Sequence, residues 1–167
     1  MGFLNKLFGK GAEETDWMQL ESEDSVEEVF TASGARVQLI LKHSQSCAVS
    51  FFAKQNLDSV PLEEWPEMDR SMVEVVRFRP ISQYLAQKTG VRHESPQVLV
   101  IANGEVIFHT SHSEVNKVNI QQAYEKALGL LWSSNTNTRP RTHRPEGPLP
   151  RWVALVSRLQ SNVPWLN

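Results

Sequence analysis

The order of apolar runs along this chain of 167 residues predicts an α/β fold, three layers deep, in which helices cover both faces of a mixed sheet of four to five strands. Three observations carry the prediction. Val37 to Leu41 is a continuous, partly β-branched apolar run, as in strands buried on both faces. From there to about residue 90 strand-like and helix-like segments alternate, and two strand–helix–strand crossings call for a parallel inner sheet. In SPQVLVIANGEVIFHT two apolar runs flank Asn103 and Gly104, a pair favoured where both turn residues need positive φ, which predicts an antiparallel hairpin on the other side.

Taken in order, Phe3, Leu4, Leu7 and Phe8 recur at helical spacing and predict a short amphipathic arm over residues 1–12. In LESEDSVEEVF, Ser25 followed by Glu28 has capping-box spacing, and Val26, Val29 and Phe30 share a helical face that stops near Ser33 and Gly34. The first buried strand follows. After Cys47, the residues Val49, Phe52 and Ala53 recur at helical spacing, so Cys47 falls at a strand-to-helix junction. Leu57 to Arg70, with Pro61 and Pro66, reads as irregular. SMVEVVRF predicts a second strand, and PISQYLAQKTG a helix with Pro80 in its first turn and Gly90 as its stop. Behind the hairpin, Asn119 and Gln122 can start a helix whose Ile120, Ala123, Ala127 and Leu128 face one side, ending around Gly129.

Residues 13–132 thus form the domain. Residues 133–150, SSNTNTRPRTHRPEGPLP, lack apolar periodicity and read as a flexible linker. Trp152, Leu155, Val156 and Leu159 then mark a short amphipathic segment over 151–167. Charge is divided unevenly: five arginines against one acid give +4 from Ser133 onward, against −6 before it, which together make the chain's −2. So mild a balance excludes general polyanion binding, and the arginine-bearing tail lacks the aromatic interleaving of a nucleic-acid module. No run reaches the roughly 18–20 apolar residues of a transmembrane segment, and MGFLNKLFGKG is too short for a signal peptide's apolar region.

One cysteine permits no internal disulfide, which suits a reducing cytoplasm and means that any disulfide chemistry takes its second sulfur from another molecule. At a helix N-terminus the unpaired N–H groups favour a thiolate over a thiol, and Lys42 and His43 stand close enough in sequence to add to the effect. Ser50 sits three residues after Cys47, where a C-x-x-C oxidoreductase carries its resolving thiol. A hydroxyl cannot resolve a mixed disulfide, so monothiol exchange is the natural chemistry, with Ser50 as a hydrogen-bond donor to the sulfur. His43, His93, His109 and His112 with Cys47 match no metal-ligand spacing.

Helix, strand, cysteine-bearing helix, strand, helix, hairpin, helix is the thioredoxin-like arrangement. It gains detail from a proline just before the hairpin: Ser95 and Pro96 stand there, and in that fold the proline is cis and turns the backbone toward the cysteine. Lys42, Ser46, Ser95 and the backbone at Pro96 are the candidate contacts for a small thiol.

At KHSQSCAVS, VRHESPQVLVIANGEVIFHTSH and the leading MGFLNKLFG, residues 1 to about 131 resemble the monothiol bacilliredoxins, thioredoxin-like proteins of the bacillithiol system. The resemblance implies an enzyme that removes bacillithiol from S-bacillithiolated proteins. Cys47 matches the nucleophile, and Ser95 and Pro96 match the proline loop beside it. No cofactor is bound on this reading; free bacillithiol is the external co-substrate that resets Cys47, and a flavin-dependent bacillithiol-disulfide reductase acts downstream. Ala48 departs from the proline or serine of many relatives, and the tail from Ser133 has no counterpart in the family pattern. Two other readings fit a lone cysteine on this fold: a glutaredoxin-like iron–sulfur carrier, in which two chains and two small thiols supply four thiolates, and a non-catalytic adaptor.

Overall fold

In the computed structural model, which describes residues 17–135, the chain runs through β1 (Met18–Gln19), α1 (Glu23–Ala32), β2 (Val37–His43), α2 (Ala48–Asp58), β3 (Met68–Glu74), α3 (Arg79–Thr89), β4 (Gln97–Ala102), β5 (Glu105–Ser111) and α4 (Lys117–Asn135). The amphipathic arm expected over 1–12 and the segment expected over 151–167 lie outside these residues, as does most of the linker. The strands form one mixed sheet in the order β1-β3-β2-β4-β5, the thioredoxin-like α/β architecture.

β2 lies at the centre and is buried along all seven residues, which is why it reads as an unbroken apolar run. Alternation along the strand divides the core in two. Ile40 packs with Val26 and Val29 of α1, Ile81 and Leu85 of α3, Val73 of β3, and Leu99 and Ile101 of β4. Leu39 and Leu41, of opposite parity, are equally buried on the other face.

The structure departs from the sequence reading at five places. First, of the two predicted crossings only the one through α2 is parallel: β3 pairs with β2 in parallel, whereas β4, reached through α3, pairs with β2 antiparallel from Gln38↔Ile101 to Lys42↔Gln97. Helical periodicity says that α3 covers a face; it does not say at which end the chain re-enters the sheet, and the non-helical residues 91–96 bring it back to the end where β2 finishes. Second, the N-cap of α1 is Ser22, whose hydroxyl accepts the Ser25 N–H at 3.1 Å while Ser25 Oγ accepts the Ser22 N–H at 3.3 Å. Two serines satisfy each other's backbone donors, so Glu28 is not needed.

Third, β1 adds a two-residue edge beside β3, Met18↔Ser71 and Gln19↔Met72, too short for any periodicity to announce. Fourth, α2 buries Ser50, Ala53 and Leu57, while Val49 and Phe52 face outward. Fifth, α4 starts at Lys117 and continues through residues 133–135, which the composition assigns to the linker. The hairpin, by contrast, is where Asn-Gly puts it: Asn103 and Gly104 have φ of 53° and 79°. The turn docks on the end of α1, with the Asn103 and Gly104 N–H groups donated to Ser33 O and Ser33 Oγ at 2.8 and 2.7 Å.

Arg70 fixes the far end of the cysteine-bearing helix. Its guanidinium, 4% exposed, donates to the carbonyls of Leu57 and Val60 at 3.3 and 2.9 Å and stacks over Trp65 at 5.1 Å. The Leu57 carbonyl, in the last turn of α2, also accepts the Val60 N–H at 3.1 Å, whereas Val60 follows the helix. Arg70→Leu takes the side-chain donor away from both carbonyls, and is expected to lower unfolding stability by about 1–3 kcal/mol in urea titration.

Candidate active site

Cys47 is the N-cap of α2, in extended conformation at φ −110° and ψ 117°, and is partly exposed. Its N–H is donated to Ser44 O at 3.2 Å, and its carbonyl accepts the first helical hydrogen bond, from Phe51 N–H, at 3.0 Å. The side chain makes no cap hydrogen bond. The N–H groups of Ala48, Val49 and Ser50, at the first three helical positions, therefore lack intrahelical acceptors beside the sulfur. Pro96, in a cis peptide bond after Ser95, immediately precedes β4 at the same end of the sheet, since Lys42 near the end of β2 pairs with Gln97. That end brings the Cys47 loop and the proline loop onto neighbouring strands.

The sequence-expected supporting residues divide. Ser50 is fully buried; its Oγ accepts the Ser44 N–H at 2.9 Å and lies 3.1 Å from His43 Nδ1. Ser50 thus braces the loop before Cys47, holding Ser44 and His43 together.

His43 is itself buried. Loss of hydration first, and the Lys54 charge second, push its pKa down against the smaller opposing effects of Ser50, Glu74 and Asp58, so it stands as a neutral imidazole. Lys42 is fully buried too, but one residue earlier on β2, and so on the opposite face of the sheet from His43. Neither brings a positive charge to the cysteine side of the sheet. Ser46 is exposed, its Oγ 3.1 Å from Ser44 Oγ. Ser95 keeps its Oγ buried with no hydrogen-bond partner.

Glu74 carries a role that the sequence did not announce. Paired with His43 across β2 and β3, its buried carboxylate accepts N–H groups from Gln45 at 3.2 Å, Val76 at 3.1 Å and Arg77 at 2.6 Å. One side chain thereby ties the loop before Cys47 to the loop after β3. The available signal was a lone acid ending an apolar strand. Phe51 and Phe52 stand exposed beyond the cysteine, ring centroids 5.7 Å apart, edge to face. Among the described residues, no group of three or more His, Cys, Asp or Glu side chains is placed to share a metal ion, and no helix is long and apolar enough to cross a membrane.

Residues 18–120 match the family described as monothiol bacilliredoxin BrxC. Among solved structures, a protein assigned as an oxidoreductase with a thioredoxin fold is 34% identical, with a TM-score of 0.57 over 64% of this chain and 91% of that one. Thioredoxin from Fasciola hepatica is 16% identical, with a TM-score of 0.53 over 66% of this chain and 98% of its own. Thioredoxin from Trypanosoma brucei brucei is 12% identical, with a TM-score of 0.55 over 68% and 91%. These two share the fold.

The neutral His43 has a consequence for stability. A histidine whose folded pKa lies below its unfolded value binds protons preferentially in the unfolded chain, so stability is full above the unfolded pKa of about 6.5 and falls as pH drops below it. His43→Gln is expected to flatten the decline in urea stability between about pH 7 and pH 5; the decline that remains belongs to other groups, among them His93, shifted the same way.

Proposed function

The chain belongs to the monothiol bacilliredoxin family, and from that premise we propose that it removes bacillithiol from S-bacillithiolated proteins by thiol exchange at Cys47. Thiol-redox chemistry comes with the family and with the 34% identical oxidoreductase of thioredoxin fold. The observation that carries the finer reading is the pair Cys47 and Ser50: the chain's one thiol is partly exposed at a helix N-terminus, and the position one turn on holds a buried hydroxyl engaged with His43 and Ser44.

The steps follow from that pair. The Cys47 thiolate, approached by the free N–H groups of the first turn of α2, attacks the bacillithiol sulfur of a modified protein. A new S–S bond forms between Cys47 and bacillithiol, the old one breaks, and the substrate leaves as a thiolate. No second sulfur in this chain can displace the adduct. A free bacillithiol thiolate therefore attacks the adduct, giving the bacillithiol disulfide and restoring the Cys47 thiolate; that disulfide is left to a separate reductase. Sulfur and electrons balance at each step, and no bound cofactor takes part. Ser46, Ser95 and Pro96 remain the proposed contacts for the small thiol, Lys42 being fully buried on the opposite face of the sheet, and a reducing cytoplasm the proposed setting.

Incubated with a bacillithiolated test protein, the native chain is expected to return it to its free-thiol mass while gaining one bacillithiol itself, as read by intact mass spectrometry. Cys47→Ala should leave the test protein modified. Equal recovery with both chains sinks the proposal.

A further inference from the structure

The end of β5 carries a backbone feature that the exchange at Cys47 does not use. Among the described residues positive φ occurs at Asn103 and Gly104 in the hairpin, at Gly90 closing α3, and at His112, where it is 54°. The first three are turn residues that take this conformation at little cost. His112 is the exception. A side chain there crowds its own backbone, and glycine would hold the same turn more easily, so the backbone alone gives no reason for an imidazole at this position.

The surroundings supply one. The His112 N–H is donated to the Pro96 carbonyl at 3.0 Å, one position beyond the Gln97↔Ser111 pair, and so continues the β4–β5 ladder into the proline loop. Among the side chains, His112 Nδ1 lies 3.1 Å from Ser111 Oγ. The Ser111 side chain in turn bonds the Glu94 carboxylate, which is held below the usual carboxylate range first by that hydrogen bond, against some loss of hydration, and then by the charges of His112, Arg92 and His109. The end of β5 thereby grips the segment Glu94–Ser95–Pro96 at both ends. Between the two grips the Ser95 hydroxyl is buried with no hydrogen-bond partner. The 3-10 turn His112–Glu114 also packs against α2, which brings this strand end onto the face of the sheet that the cysteine-bearing helix covers.

We propose that the His112 side chain, through Ser111 and Glu94, is a positioning residue for the proline loop, holding Ser95 and Pro96 as they meet the small thiol carried on Cys47. The inference rests on the reading of Cys47 as the carrier of that thiol and of Ser95 and Pro96 as its contacts. What the clamp supplies is order. A loop held in advance leaves the ligand no ordering to impose, and the ligand binds more tightly for it. His112 is assigned no part in the bond exchange itself.

The test separates the side chain from its backbone, in the full chain. His112→Gly keeps the positive φ and the N–H donated to Pro96 and removes only the imidazole. His112→Asn keeps the conformation, which asparagine also adopts, and returns a polar atom close to where Nδ1 stands. In backbone amide NMR relaxation, Glu94 and Ser95 are expected to be as ordered as β4 in the native chain, more mobile in His112→Gly and in Ser111→Ala, and ordered again in His112→Asn. In discharge of the bacillithiol adduct from Cys47, His112→Gly and Ser111→Ala should each raise the KM for bacillithiol about fivefold and change kcat by less than about twofold. The double variant should do no worse than either, because both cut the same chain of contacts. The clamp is overturned by Glu94 and Ser95 keeping their native order in His112→Gly, by losses that add in the double variant, or by a kcat that falls while KM holds. Should Cys47 exchange no bacillithiol at all while the relaxation pattern holds, the enzymatic reading falls and the clamp on the proline loop stands.

Discussion

The burial of β2 on both faces is the constraint from which the rest of the molecule follows. With β3 hydrogen-bonded along one edge and β4 along the other, its backbone is satisfied entirely within the sheet, and its side chains have only the two helical layers to point into. Apolar residues meet that demand at Val37, Leu39, Ile40 and Leu41. At the end of the strand the chain places Lys42 and His43 instead, and both remain buried. Polar groups held there need partners, and the two faces meet the need differently. On the α2 side, His43 is answered by Ser50. On the α3 side, no described side chain answers Lys42.

That asymmetry gives the strand's end two chemical aspects. The cysteine face is braced: Ser50 takes the Ser44 N–H, His43 is uncharged, and the Glu74 carboxylate gathers three backbone N–H groups from two loops. Its positive potential comes from the open N-terminus of α2, a fixed feature of the backbone that needs no titratable neighbour. The opposite face buries Lys42 and Gln97 as cross-strand neighbours.

The sequence revealed what depends on local spacing and concealed what depends on the far side of a strand. The Asn-Gly turn, the junction at Cys47, the Ser95–Pro96 bend and the Gly90 stop, at φ 69°, were legible because each follows from the conformational range of a few residues. The direction of β4 was not, since an amphipathic helix covers a sheet equally well before a parallel or an antiparallel strand. Nor was the inward side of α2, where Ser50 replaces the expected apolar contact and Phe52 turns out to solvent. Helical spacing relates Val49, Phe52 and Ala53 to one another and leaves open which edge of their stripe meets the core. Lys42 and His43 read as a basic pair beside the cysteine; only the pleat, which sends successive side chains to opposite faces, shows that they cannot act together.

The position of Ser50 explains why one sulfur suffices for this fold. In a dithiol enzyme the second sulfur, one turn into the helix, must reach the first in order to expel its partner. Here that position is fully buried, and its side chain is committed to holding the β2–α2 loop through Ser44 and His43. A thiol placed there would give up hydrogen bonds that a hydroxyl makes well and sulfur makes weakly. The bracing of the loop and the absence of a resolving sulfur are thus one structural choice. Having made it, the chain must take the second thiol of any exchange from another molecule.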